Sequence, residues 1–284
     1  MAVPLDSTGK INFDHIYTAP DPRPFFGTLR RLDYDIPQQA KAYFTKLIDE
    51  YRTEAGVKVP TVLDLGCSYG VNAALYRCDT SMERLYEHYA SASSLSRDEL
   101  IVRDRRMVER VAVCDEVRFI GLDASAPALD YALAAGFIDE AIHADLENEE
   151  PTEERRALLS EVDIVISTGC VGYVTEKTLV RIARENRPWM AHFVLRMFSY
   201  APVAESLGEL DYDTTGVEGV FRQRRFASDE EQAQILDNLS VAGVDPRGLE
   251  TEGRLYARLF VSRPNGAAGE LASALNTLPL RDQG

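Results

Sequence analysis

The chain is poor in the residues that build metal centres and disulfide frameworks. Its 284 residues include only four cysteines and four histidines. Cys67, Cys78, Cys114 and Cys170 are scattered without a C-x-x-C pair, so they read as buried thiols rather than disulfides or zinc ligands. His15, His88, His143 and His192 show no ligand spacing, and no metal site is expected. No apolar run approaches the ~18 residues of a membrane-crossing helix. The opening residues Met1 to Asp6 lack the basic region and apolar core of a secretory signal, and a cytoplasmic location is the expectation. Positive charge is also scarce: 31 Lys and Arg against 46 Asp and Glu give a formal net charge of −15. Nucleic-acid binding needs a positive surface that displaces counterions from phosphates. Only Arg222, Arg224 and Arg225 suggest a local basic patch, so DNA and RNA are not expected partners.

With 45% apolar and 27% charged residues, the chain reads as an ordinary globular protein. Residues 1–58 form an N-terminal extension or cap. Its first half is rich in proline and aromatics, which forbids a continuous helix there. Beyond it, Ala40, Tyr43, Phe44, Leu47, Ile48 and Tyr51 recur at helical spacing and predict a helix over 37–52, with Pro37 in its first turn. Apolar runs then predict strands at 61–65, 117–122, 140–143, 162–167 and 192–198. Helices are expected to begin near residue 72 and to span 126–135, 176–186 and 228–242. Strands alternating with helices imply a doubly wound, mostly parallel sheet in an α/β fold. The connection over 79–110 is too long for one crossover helix and predicts an inserted helical pair. That insertion reads as a solvated excursion, a homodimer interface or part of a lid. Residues 201–227 break the alternation and are expected as a lid. Two closing strands are expected at 248–251 and 254–262, and a tail at 265–284.

The stretch V-L-D-L-G-C-S-Y-G, Val62 to Gly70, carries the most information. A buried strand ends at an acid, Asp64, and turns through Gly66 and Gly70 into a helix. Open α/β sheets bind ligands in the crevice beyond such strand ends. Asp123, ending the second strand, is placed to accept the two hydroxyls of a ribose; the alternative is a helix cap, a role Ser125 fills equally well. The broken G-x-G at Gly66-Cys67-Ser68 disfavours a dinucleotide dehydrogenase.

These residues resemble the motifs of class I S-adenosylmethionine (SAM)-dependent methyltransferases, in order along 61–262. The resemblance implies a seven-stranded Rossmann-like sheet over a SAM-binding domain of residues 59–264, with Ser68 replacing the usual middle glycine; separately, the N-terminal cap and residues 201–227 are expected to enclose the acceptor, which suits a small molecule. It implies that Asp64, Gly66, Cys67, Ser68 and Gly70 pack against the methionine part of SAM. Asp123 would hold the ribose, with Ala124 and Ser125 beside the adenine. Asp145 and Leu146 would meet the adenine edge, unless that acidic stretch is a plain surface loop. Ser167, Thr168 and Gly169 would flank the sulfonium. The closing strand pair resembles the family's antiparallel last strand.

The methyl acceptor is less legible. SAM carries its own activation, so the protein mainly binds and orients. The Asn/Asp-Pro-Pro-Tyr/Phe signature of amino-group methylation is missing after the fourth strand, where Ser167-Thr168-Gly169-Cys170 stands. Tyr173 is a candidate pocket wall, or simple packing. Arg196 is a candidate anchor for a carboxylate or phosphate, or half of a structural ion pair. His15 is a candidate general base, or an exposed histidine. Tyr17 is expected to fold over the cofactor, and Phe25, Phe26 and Tyr34 to supply an apolar wall. O-methylation of a small molecule is favoured over N- or C-methylation. A protein or RNA methyltransferase, or a non-catalytic SAM-fold protein, are the rivals.

Overall fold

The computed structural model describes residues 5–110, 117–266 and 275–278. Cys114 and most of the expected tail lie outside the described residues. Five apolar segments make the parallel part of one sheet: β1 (Thr61–Leu65), β2 (Arg118–Asp123), β3 (Glu140–His143), β4 (Ile164–Thr168) and β5 (Trp189–Leu195). Their spatial order is β3-β2-β1-β4-β5, with every neighbouring pair parallel. The long β8 (Arg254–Pro264) runs antiparallel beside β5. Its other edge is shared by β6 (Tyr212–Gly216) and β7 (Phe221–Arg225), which pair in succession with its two halves. The sheet is therefore mostly parallel with seven positions, the last split between two short strands.

Side chains alternate between the faces of each strand. Val62, Phe119, Ile164 and Phe193 pack into one apolar cluster, and Leu63, Ile120, Val165 and Met190 into the other. The first cluster is covered by α2 (Arg23–Arg31), α3 (Ile36–Ala55), α4 (Val71–Arg77), α5 (Met82–Ala90), α6 (Arg97–Glu109) and α7 (Ala126–Ala135). The second is covered by α8 (Glu153–Leu159), α9 (Glu176–Asn186) and α10 (Ala201–Gly208). Each large side chain buried this way contributes about 1.5–3 kcal/mol. A short α1 (Asp14–Tyr17) precedes α2, and α11 (Asp229–Val241) packs Ile235 and Leu239 against Leu195 and Leu255. Helices α5 and α6 occupy the long β1–β2 connection and dock on the N-terminal segment, where Phe26 stacks on Tyr89 at 4.3 Å.

Two segments differ from expectation. Residues 201–227 form α10, β6 and β7 rather than a free lid: Pro202 opens the helix, and Tyr212 and Phe221 are buried in the sheet. Residues 248–251 are not a strand. Gly248 and Gly253, both at positive φ, bracket a 3-10 turn, Glu250–Glu252, and the Glu250 carboxylate is buried against Arg196 at 2.5 Å. Among the described residues no helix is long and apolar enough to cross a membrane.

Candidate active site

The direction of winding reverses between β1 and β4, which leaves a crevice beyond their carboxyl ends. The chain leaving β1 must turn hard. Gly66, Ser68 and Gly70 all take left-handed backbone angles, with φ of 70°, 50° and 72°. At Gly66 a Cβ would stand 2.7 Å from the Cys170 Cβ, so no other residue fits without displacing the loop after β4. Ser68 bears the left-handed cost of about 1–2 kcal/mol, and its amide is held by a charge-assisted hydrogen bond to Asp123 Oδ2 at 2.8 Å.

Asp123 projects from the end of β2 into this crevice. Its Oδ1 accepts the Ser125 amide at 2.8 Å. Burial raises its carboxyl above the usual range, while the amides of Ser125 and Ser68 pull it back. Each oxygen keeps lone-pair capacity for a ligand. The cap of α7 is Ser125, whose Oγ accepts the Ala128 amide at 3.4 Å and donates to the Tyr17 carbonyl at 2.7 Å. Asp123 is thus not needed to start the helix.

A cavity of about 570 Å³ opens above these groups. Gly66, Cys67, Ser68, Asp123, Ala124, Ser125, Thr168 and Gly169 line it from the strand ends, and Phe25, Leu29 and Tyr34 form an apolar wall. Phe26 does not line it. Lys10, Phe13 and Tyr17 roof it, with Tyr173, Gln223 and Arg224 at the far side. The roof is fastened at several points. Tyr69 donates its hydroxyl to the carbonyls of Ile16 and Ala19 at 2.9 and 2.8 Å. Tyr173 donates to Asp6 Oδ2 at 2.6 Å. The Ile11 amide donates to Glu231 Oε1 at 2.8 Å, and Glu231 also grips Arg224 at 2.5 Å.

Several buried oxygens around the cavity have no hydrogen-bond partner among the described residues: Ser68 Oγ, Asn72 Oδ1, Gln223 Oε1 and, just beneath, Asp64 Oδ2. Asn72 Nδ2 bridges Asp64 Oδ1 at 2.9 Å and Thr168 Oγ1 at 3.2 Å. Burial pushes the Asp64 carboxyl up to about 7, with the Asn72 hydrogen bond opposing and the Asp123 charge adding. Buried acceptors are normally satisfied. Four such atoms cluster around one concavity.

Not every candidate meets here. Gly70 lies behind the wall as the residue before α4, against Phe137 and Ala132. Ser167 is fully buried with His192, Oγ to Nδ1 at 2.7 Å. Leu146 belongs to the apolar cluster on the opposite face. Asp145 is exposed and engaged in its own turn, with Asn148 at 2.7 Å and the Glu147 amide at 3.1 Å. His15 is exposed on α1 and does not line the cavity. Arg196 faces a second cavity between β5, β8 and α10, tied to Glu250 and the Asp245 carbonyl at 2.7 Å. Lys10, Asn72 and Gln223 are cavity residues outside the sequence expectation. Position two after Gly70 was the only signal for Asn72; no motif marks the others.

No family model matches this chain, and no relative is found among curated proteins. Among solved structures, it is similar in shape to magnesium protoporphyrin IX methyltransferase of Synechocystis PCC 6803 with bound SAM. That match has 11% identity and a TM-score of 0.44, covering 93% of this chain and 100% of that one. A SAM-dependent methyltransferase of Geobacter sulfurreducens in complex with S-adenosyl-L-homocysteine (SAH) matches at 13% identity and TM-score 0.38, covering 79% and 91%. A TehB-like SAM-dependent methyltransferase of Corynebacterium glutamicum matches at 14% and 0.37, covering 74% and 85%. At these identities and scores, function rests on the site itself.

Proposed function

We propose that the protein is a SAM-dependent methyltransferase acting on a small organic molecule. The observation that carries this reading is the crevice itself: a carboxylate at the end of β2 with lone pairs left for a ligand, glycine turns that admit a close ligand, and four buried acceptors without a partner among the described residues. Asp123 would hold the ribose hydroxyls. Ser68 Oγ, Asn72 Oδ1 and Gln223 Oε1 would meet the amino and sulfonium-bearing end, and the buried Asp64 carboxyl beneath it would ionise more readily against that positive charge. Phe25, Leu29 and Tyr34 would exclude water from it. When bound, SAM supplies an electrophilic methyl group on sulfur. The chain's own part is to hold the acceptor in line with that group.

An oxygen acceptor is favoured. Among the described residues no histidine lines the cavity. A carboxylate is already a nucleophile at neutral pH and needs no base. The roof formed by residues 6–18 suits a molecule that fits inside rather than a folded macromolecule. Calorimetric titration with SAM and SAH tests the assignment. Asp123→Ala should weaken both at least about tenfold, equivalent to about 1.4 kcal/mol. Unchanged affinity, or no binding to the unaltered protein, would refute it. Transfer of labelled methyl from SAM to a metabolite extract, read by mass spectrometry, identifies the product.

A further inference from the structure

Lys10 is only 7% exposed, lines the cavity, and its ammonium has neither anion nor hydrogen-bond acceptor among the described residues. It stands 4.8 Å from the centroid of the Tyr173 ring. The backbone is fixed around it. Its carbonyl accepts the Asp6 amide at 2.7 Å and its amide donates to Asp6 Oδ1 at 3.2 Å. Gly9 lies so close to Gln234 of α11 that a Cβ would meet its Cγ at 2.4 Å. The lysine is therefore presented rather than left loose.

The neighbouring acids are already occupied. Asp6 is taken by Tyr173 and Thr8. Glu231 is taken by Arg224, Ile11 and Ala227. Arg224 is the other cation nearby, and its guanidinium is spent on Glu231. An ammonium that opens only onto the cavity, with no acceptor among the described residues, is costly, and one aromatic face does not offset that. A ligand that brings a single negative charge would. One unpaired monocation matches a carboxylate better than a dianionic phosphate.

We infer that Lys10 binds a carboxylate of the methyl acceptor, so the substrates are small organic acids. This inference rests on the proposed activity and deepens it. Burial and the Arg224 charge push the Lys10 amine down to about 8, against the pull of Asp6 and Glu231. An incoming carboxylate would raise it again by stabilising the ammonium.

The test uses matched pairs of small carboxylic acids and their primary amides, titrated calorimetrically into the SAH-loaded protein. The acids should bind at least about tenfold tighter than their amides. Lys10→Arg should keep the preference and Lys10→Gln should lose it, with SAH affinity unchanged in both. In the ligand-free state Lys10→Met should melt at a higher temperature than the unaltered protein, because a costly buried charge is removed. The inference is overturned if no acid binds, if the preference survives in Lys10→Gln, or if Lys10→Gln weakens SAH as Asp123→Ala does. That last result would make Lys10 the partner of the cofactor's own carboxylate. If SAH does not bind at all, the cofactor assignment falls by itself. The same acid and amide pairs on the ligand-free protein then still decide the role of Lys10.

Discussion

Asp64 and Asp123, each close to the carboxyl end of its strand, illustrate how one residue type takes two roles. Asp123 faces the cavity and is steadied by two amides. Asp64 is fully buried with one oxygen unpartnered. Its carboxyl is raised to about 7 in the folded protein, against about 3.9 in an unfolded chain. Between those values the folded state holds the proton and the unfolded state does not. Stability from this group is therefore fullest near and below pH 4 and declines as pH rises toward 7. Asp64→Asn should remove that decline. The ligand-free variant is expected to exceed the unaltered protein at about pH 8 by up to the order of 4 kcal/mol, and to match it near pH 4. Urea unfolding at the two pH values reads the difference; equal curves at about pH 8 would contradict it.

At the scale of elements, the roof over the cavity hangs on one side chain of α11. Glu231 holds Arg224 of β7, the Ile11 amide of the roof and the Ala227 amide before its own helix. Removing it leaves a guanidinium buried without its partner. Glu231→Ala should cost about 3–5 kcal/mol, measurable by denaturant unfolding, whereas Glu231→Gln keeps part of the hydrogen bonding and should cost less. What sequence reveals follows from the same physics. The strands β1 to β4 and the helices α7 and α9 are readable because apolar periodicity and local caps such as Ser125 and Thr175 agree. The strands β6 and β7 are not. Their Gly, Asp, Thr and Arg residues read as loop, and only pairing with β8 makes them extended. Arg196 directly follows β5, which ends at Leu195 rather than at 198 as expected, and Glu250, 54 residues later, claims it. Asp123 is legible because its role follows from topology. Lys10 is not, since its burial depends on α11 and β7 far along the chain.

At the scale of the whole molecule, a ligand that binds only the folded state stabilises all of it. SAH at about 100 times its dissociation constant should add about 2.7 kcal/mol and raise the melting temperature by roughly 5 °C or more. At the same SAH concentration Asp123→Ala should show at most about half that rise, and NAD should give none to either protein. A rise with NAD alone would reverse the cofactor assignment.

The split seventh position of the sheet has a bearing on self-association. An uninterrupted outer strand offers unpaired amides and carbonyls on which another chain can template itself. Here one rim ends in the four-residue β3, bearing Glu140. The other rim is broken. The carbonyls of Arg222 and Gln223 are taken by Gln39 and Asp35, and the Arg225 amide by Leu32. Among the described residues, the five of β6, carrying Asp213, are left beside it. Neither rim is long or apolar enough to seed intermolecular strand exchange, so crowded or partly heated samples should cluster through other surfaces before they grow fibrils.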